Sequence, residues 1–162
     1  MVDARRKLVL LRHAKAAAPD DVADFERPLA KRGTLDAPAA GRWLRDNVPA
    51  IEVVACSPAT RARRTWELAA PEIPAAPDVR YDERIYAATA HQLLDVVRAL
   101  PGPVMTAVLV GHNPGLEDLV RLLTGQRAEL KTAGIAVLST AATWSEAGES
   151  WAEADDFAKP RG

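Results

Sequence analysis

Two short apolar runs in this chain end in the same way. Leu8-Val9-Leu10-Leu11 leads into Arg12-His13, and Val108-Leu109-Val110 leads into Gly111-His112 about a hundred residues later. A continuous Leu- and Val-rich run bounded by polar residues reads as a strand buried on both faces, the kind found in parallel sheets covered by helices. Such strands deliver their last residues to the carboxyl edge of the sheet, which is where open α/β sheets bind ligands. Two His residues at two such ends therefore constrain the fold and mark a candidate site together.

The rest of the sequence fits the same plan. Strand-like runs at residues 8–11, 51–56, 106–110 and 135–139 alternate with segments of helical spacing. The first helix is expected over residues 36–47, with Leu35, Ala39, Trp43 and Leu44 on one side and Pro38 confined to its first turn. A second helix is expected to open at Ser57-Pro58 and to run through Arg61, Thr65 and Leu68, since Ser is a good N-cap and Pro suits the first helical position. Asn113-Pro114 repeats that device before Leu116, Leu119, Val120 and Leu123, with Gly125 as the stop. Thr89 and Gln92 form a capping box for a helix carrying Leu93, Leu94, Val97 and Leu100. Short strands are expected near residues 79–81 and 151–154, followed by a polar tail from Asp155 that frays. The prediction is a single domain over residues 1–162, with its core at about 8–154. It is three-layer α/β/α with a mostly parallel central sheet of about five to six strands.

Composition bounds the partners. The chain has 162 residues, 48% of them hydrophobic, enough for a sizeable core. Its 21 basic and 22 acidic residues leave a formal charge of −1, which gives no global footprint for nucleic acid or an anionic membrane. No run approaches the ~20 apolar residues of a membrane span, and the charged start lacks the apolar segment of a signal peptide, so a cytoplasmic location is the expectation. The one cysteine, Cys56, cannot form an internal disulfide or a metal cluster.

The chemistry sits just past the strand ends. Arg12 and His13 follow the first strand, Ser57 and Arg61 the second, and His112 and Asn113 the fourth. Two guanidinium groups and two imidazoles would converge on one crevice beside two helix N-termini. Helix N-termini present unpaired N–H donors, Arg presents a planar fork matched to phosphate oxygens, and neutral His presents a nucleophilic nitrogen. A phosphoryl group is the ligand that suits this set.

At these residues the chain resembles the histidine phosphatase superfamily, also called the phosphoglycerate mutase-like fold. The resemblance rests on Leu11-Arg12-His13-Ala14, Ser57-Pro58-Ala59-Thr60-Arg61-Ala62 and Gly111-His112-Asn113. Asp24-Phe25-Glu26-Arg27-Pro28-Leu29 and Thr132-Ala133-Gly134-Ile135 are further similar to the SixA-like phosphohistidine phosphatase branch. Many superfamily members carry Gly after the nucleophilic His, where this chain has Ala14, whose methyl narrows the backbone's φ options.

The resemblance implies that His13 attacks phosphorus and forms a phosphohistidine intermediate. Arg12, Arg61 and His112 would clamp the equatorial oxygens, with Ser57 and Asn113 as further substrate contacts, and neither a metal nor a cofactor would be needed. In the superfamily a carboxylic acid protonates the leaving group. Glu83 is the first choice for that role, ahead of Asp82 and Asp24, because it follows the short third strand.

Three functions are then open: a phosphatase for phosphohistidine on proteins, a phosphatase or mutase for a small phosphorylated metabolite, and a catalytically silent phosphate-binding module. The short chain lacks the long insertions that roof metabolite pockets, which favours the first. The second would draw on Arg27, Arg63, Arg84 and Lys131 as extra cations. Other residues read as structural. His91, Lys31 and Arg32 suit the surface, Cys56 and the four Trp residues suit packing, and residues 24–29 suit either a turn beneath the first helix or a substrate loop.

Overall fold

Alternation along the first strand organises the molecule into layers. In the computed structural model, which describes residues 5–161, the chain runs β1 (Arg6–Arg12), α1 (Lys31–Asn47), β2 (Val53–Cys56), α2 (Thr60–Ala69), β3 (Asp78–Tyr81), α3 (Ala90–Arg98), β4 (Thr106–Gly111), α4 (Gly115–Thr124), β5 (Ile135–Thr140) and β6 (Glu153–Ala158). Leu8 and Leu10 point into a core shared with Leu93 and Val97 of α3 and with Leu116 and Leu119 of α4. Val9 and Leu11 point the other way, against Leu44 of α1 and Trp66 of α2. Each fully buried Leu or Val contributes about 1.5–3 kcal/mol by leaving water. The β1 run is apolar throughout because both of its faces are covered.

The six strands lie in the order β3-β2-β4-β1-β5-β6. β1, β2, β3 and β4 are mutually parallel, β5 runs antiparallel to β1, and β6 runs antiparallel to β5. The expected three-layer α/β architecture with a mostly parallel sheet is therefore the observed one. β1 and β4 are neighbours, with Arg12 opposite Gly111, yet α1 and α4 leave them for opposite faces. Adjacent strands whose connections diverge open a crevice at their carboxyl ends. Close backbone approach fixes its walls. A Cβ on Gly33 would collide with the Lys15 carbonyl, and one on Gly41 with the Ala69 carbonyl, so α1 is pressed against both the loop after β1 and the end of α2.

Several boundaries differ from the sequence reading. α1 starts at Lys31, five residues before Asp36, so Lys31 and Arg32 belong to its first turn and Pro38 lies inside it. Packing of Gly33, Ala37, Ala40 and Leu44 carries the helix past the N–H that Pro38 lacks. α2 begins at Thr60, and neither Ser57 nor Pro58 caps it. α4 begins at Gly115, with no side-chain cap from Asn113 and a cis Asn113-Pro114 peptide bond. The polar tail does not fray at Asp155. Residues 153–158 form β6, held by main-chain pairing with β5 and by the Ser139 hydroxyl, which donates to Asp155 Oδ1 at 2.9 Å. The capping box at Thr89 and Gln92 is present, and Gly125 ends α4 with φ 76°. Among the described residues, no helix is long and apolar enough to cross a membrane.

Candidate active site

Each functional side chain reaches the crevice from a strand end and is held there by a second element. His13 leaves β1 with its N–H bonded to the Gly111 carbonyl at 3.1 Å. Its Nδ1 lies 2.8 Å from the Ala14 carbonyl oxygen. Only an N–H can make that contact, so the hydrogen-bond pattern assigns the proton to Nδ1 and leaves the lone pair on Nε2. The next residue is tethered from α2. Ala14 N–H donates to Thr65 Oγ1 at 2.9 Å, and that hydroxyl donates to the Arg61 carbonyl at 2.6 Å. Thr65 thus ties the loop after β1 to the helix that carries Arg61.

Ala14 itself is fully buried against Ala37 and Ala133. Among the described non-glycine residues, the left-handed region is occupied by Ala50, Ala87, Ala133 and Ser150, not by Ala14. Its backbone makes no demand for Gly, and its methyl fills a hole lined by other small residues.

Arg12 donates from Nη1 to the Leu130 carbonyl at 3.0 Å, and Asn113 donates from Nδ2 to the same oxygen at 2.8 Å. Leu130 N–H is in turn held by Glu117 Oε2 at 2.7 Å. One backbone carbonyl between α4 and β5 therefore positions side chains from both central strands. Ser57 Oγ lies 2.7 Å from His112 Nε2 and accepts the Ala59 N–H at 3.3 Å. With that lone pair engaged, the hydroxyl is free to give its own proton to Nε2. His112 Nδ1 is buried and has no hydrogen-bond partner. The two imidazoles face each other with ring centroids 5.2 Å apart.

Arg61, only 8% exposed at its side chain, is already engaged. It donates from Nη1 to the Asp24 carbonyl at 2.7 Å and from Nη2 to Asp24 Oδ2 at 3.2 Å. The same Oδ2 accepts the Tyr86 hydroxyl at 2.5 Å, and Oδ1 accepts Arg27 Nη1 at 3.2 Å. Tyr86 stands edge-on to His112, at 5.6 Å, and to Phe25, at 5.0 Å. Asp24, Arg61, Tyr86, His112 and Asn113 line a cavity of about 440 Å³, and His13 flanks it through its contact with His112.

Electrostatics follow from this packing. Burial pushes His13 down to about 4, against the Ala14 hydrogen bond, which raises it, and with further lowering from Arg61, Arg12 and Arg27. Burial first, then His13 and Arg61, push His112 down to about 3. The Tyr86 hydrogen bond, with Arg27 and Arg61, holds Asp24 down at about 2 against a desolvation that opposes it. Near neutral pH the crevice thus contains two neutral imidazoles and the guanidinium groups of Arg12 and Arg61 beside an ionised Asp24, with Asp118 also on the cavity wall. Because the unfolded chain binds protons at His near ~6.5 and the folded chain does not, stability is present above that pH and declines as pH falls from about 6.5 toward 4. Thermal melts are expected to show a lower Tm at pH 5 than at pH 7, and imidazole NMR signals of both residues should stay neutral at pH 5.5. Protonation of either ring at pH 6.5 would contradict this geometry.

Arg12, His13, Ser57, Arg61, His112 and Asn113 are brought together as expected. Glu83 is not among them. It opens a short 3-10 turn with its side chain in solvent, outside the cavity lining. Asp82 caps that turn and pairs with Arg84 Nη2 at 2.7 Å. Of the three carboxylates considered, Asp24 alone lines the cavity. Arg63 and Arg64 pair with Glu67 on the outer face of α2. His91 is exposed, and burial pushes the Cys56 thiol up to about 12, so Cys56 is a packed, unreactive group. In the segment 24–29, Leu29 packs beside the Ala14 cluster while Phe25 goes to Tyr86 instead of beneath α1. Tyr86 and Thr65 were absent from the expected site. Lone Tyr and Thr residues carry no local pattern, and only tertiary placement reveals them.

Residues 8–99 match the family model described as histidine phosphatase superfamily (branch 1). The chain belongs to the histidine phosphatase superfamily. An uncharacterized protein of Mycobacterium tuberculosis is 39% identical over 162 residues, covering 93% of this chain and all of that one. Among solved structures, a protein designated phosphohistidine phosphatase SixA from Nakamurella multipartitia is 33% identical, with a TM-score of 0.81 and 98% of each chain covered. A second protein so designated, from Agrobacterium tumefaciens, is 27% identical, with a TM-score of 0.81 over 94% of this chain and 97% of that one. Membership in this superfamily and the SixA-like fold support phosphatase activity.

Proposed function

We propose that this histidine phosphatase removes phosphoryl groups from phosphohistidine on proteins, through a phosphohistidine intermediate on His13 and without a metal. His13 Nε2 attacks phosphorus as the P–N bond of the substrate breaks. Its Nδ1–H remains on the Ala14 carbonyl, so the product is an N-phosphorylated imidazolium. Water then attacks that phosphorus, His13 leaves as neutral imidazole, and the water's proton passes to solvent with inorganic phosphate. Charge on the equatorial oxygens is met by Arg12, by Arg61 once it exchanges Asp24 for the phosphoryl group, and by the His112 imidazole.

The observation that carries the substrate choice is the state of the carboxylates. Two carboxylates line the cavity, Asp24 and Asp118; Asp24 is held ionised, at about 2, by Tyr86, Arg27 and Arg61, and Glu83 points into solvent. Asp24 is therefore no ready proton donor near neutral pH, and Glu83 is turned away from the cavity. A serine alkoxide needs such a donor. Without one, phosphohistidine protonated on its second ring nitrogen departs as neutral imidazole, whose conjugate acid has a pKa of ~6.5. The proteins designated phosphohistidine phosphatase SixA that this chain resembles point the same way.

The test is phosphate release from a phosphohistidine peptide and from its phosphoserine counterpart, with His13→Ala as the blank. Release is expected to be at least ~100-fold faster from phosphohistidine, the scale of one general-acid contribution. Equal rates, or a preference for phosphoserine that Glu83→Gln abolishes, would defeat the reading.

A further inference from the structure

A second group of charged residues lies beside the crevice on the same edge of the sheet. β6 ends at Ala158, opposite Ile135, and Ile135 is opposite Leu11, so Lys159 emerges next to the end of β1. α1 begins at this edge too, since Ala30 N–H donates to the Lys15 carbonyl at 2.8 Å. The loop between α4 and β5 joins the two regions. Ala133 N–H donates to the Arg12 and His13 carbonyls, while Thr132 takes Arg32 Nη2 on its hydroxyl at 3.3 Å and Lys159 Nζ on its carbonyl at 3.0 Å.

We propose that Arg32, Lys131, Lys159 and Arg161 form a basic shelf that binds an acidic segment of the phosphorylated protein substrate, a specificity determinant outside the catalytic crevice. The proposal rests on the protein-substrate reading above.

Charge balance supports it. Arg161 Nη1 pairs with Asp36 Oδ1 at 3.0 Å, and Arg32 Nε approaches Asp36 Oδ2 at 3.5 Å, but that buried oxygen has no hydrogen-bond partner. Glu129 is 4.0 Å from Lys131. Asp155 and Asp156 lie further down β6, Asp155 bonded to Ser139 and Asp156 opposite Val137. Among the described residues, four cations thus face two carboxylates, one of them buried. Burial lowers Lys159, and the charges of Arg32, Lys131 and Arg12 lower it further against Asp36. The shelf and the crevice therefore share one positive field, which a bound anion relieves.

Shape indicates an extended ligand. Arg32, Asp36, Lys159 and Arg161 line a hollow of about 250 Å³, and Lys159 also borders a second of about 390 Å³ with Lys131 and Phe157. Arg32, Lys131 and Arg161 are 59%, 66% and 45% exposed at their side chains, open to a macromolecule. Phe157, also exposed, offers an apolar contact between acidic positions. Two adjoining hollows sharing a cation fit a peptide stretch carrying several Asp or Glu residues.

The test uses two phosphohistidine peptides of one sequence, with flanking positions acidic in one and replaced by Asn and Gln in the other. The wild-type protein is compared with a Lys131→Glu, Arg161→Gln double variant, whose altered side chains lie outside the crevice. At low ionic strength the wild type should show a kcat/KM about tenfold higher for the acidic peptide, a preference that salt erodes. The double variant should lose the preference while retaining its rate on the neutral peptide. Equal rates on both peptides in the wild type, or an unchanged preference in the variant, overturn the shelf. If the wild type releases phosphate from neither peptide, the phosphohistidine reading alone fails. Fluorescence anisotropy of the labelled, unphosphorylated acidic peptide then decides the shelf. Binding that weakens about tenfold in the variant sustains it, and equal binding or no binding removes it.

Discussion

Replacing His13 by Ala is expected to lower phosphate release by about 10⁴-fold or more, the loss typical of deleting a covalent nucleophile. The same change should abolish a phosphorylated intermediate trapped by acid quench during turnover of labelled substrate. His13 is buried and neutral, with burial holding it at about 4, so its removal deletes no buried charge. The Ala14 N–H keeps its bond to Thr65, and the fold, read by circular dichroism, should persist. Inorganic phosphate should still bind, because Arg12, Arg61 and His112 remain. That outcome separates the enzyme from a silent binding module. A variant retaining a tenth of wild-type turnover would place the nucleophile elsewhere.

Arg61→Ala is expected to reduce kcat/KM by about 10²–10³-fold, the range seen when one preorganised charge-stabilising donor is lost. Its guanidinium is almost wholly buried and aimed at Asp24, so the substitution also leaves Asp24 in the crevice with Arg27 as its remaining cation. A carboxylate held there by Arg27 and Tyr86 alone would repel the phosphoryl group, and the loss should fall on KM as well as kcat. Arg61→Ala combined with Asp24→Asn should recover part of the KM defect and little of kcat. Arg61→Lys restores charge without the planar fork and should fall between wild type and Ala. An Arg61→Ala enzyme within threefold of wild type would show that Arg12 and His112 suffice for the clamp.

The strand ends were legible because a buried parallel strand has an apolar run and an abrupt polar stop, and both survive in one dimension. Arg12, His13 and His112 were therefore placed from sequence, and Gly125 and the Thr89-Gln92 cap carried their own local chemistry. Boundaries set by tertiary contact were not legible. α1 continues back to Lys31 because Gly33 and Ala37 pack on the loop after β1, which no helical period records. β6 reads as a polar tail because Glu-Ala-Asp-Asp-Phe-Ala lacks a clean alternation, and its strand state comes from pairing with β5 across a bulge. That Glu83 lies outside the cavity was not legible for a similar reason. Proximity to a strand end in sequence does not say which way a short 3-10 turn faces, whereas Asp24 reaches the cavity from a distant turn.

Asp24 also sets what the unoccupied enzyme does with ordinary anions. Arg61 is already paired, the two amino groups of its fork shared between a carbonyl and a carboxylate of the same residue. An incoming phosphoryl group exchanges with an internal rival instead of filling an empty socket. Chloride, acetate or a stray carboxylate offers Arg61 no more than Asp24 already gives, while a phosphoryl group presents additional oxygens to Arg12 and His112 as well. Product phosphate meets the same rival on its way out. On the proposed mechanism, the internal ion pair would work as a threshold, holding resting occupancy low and easing release after each turnover.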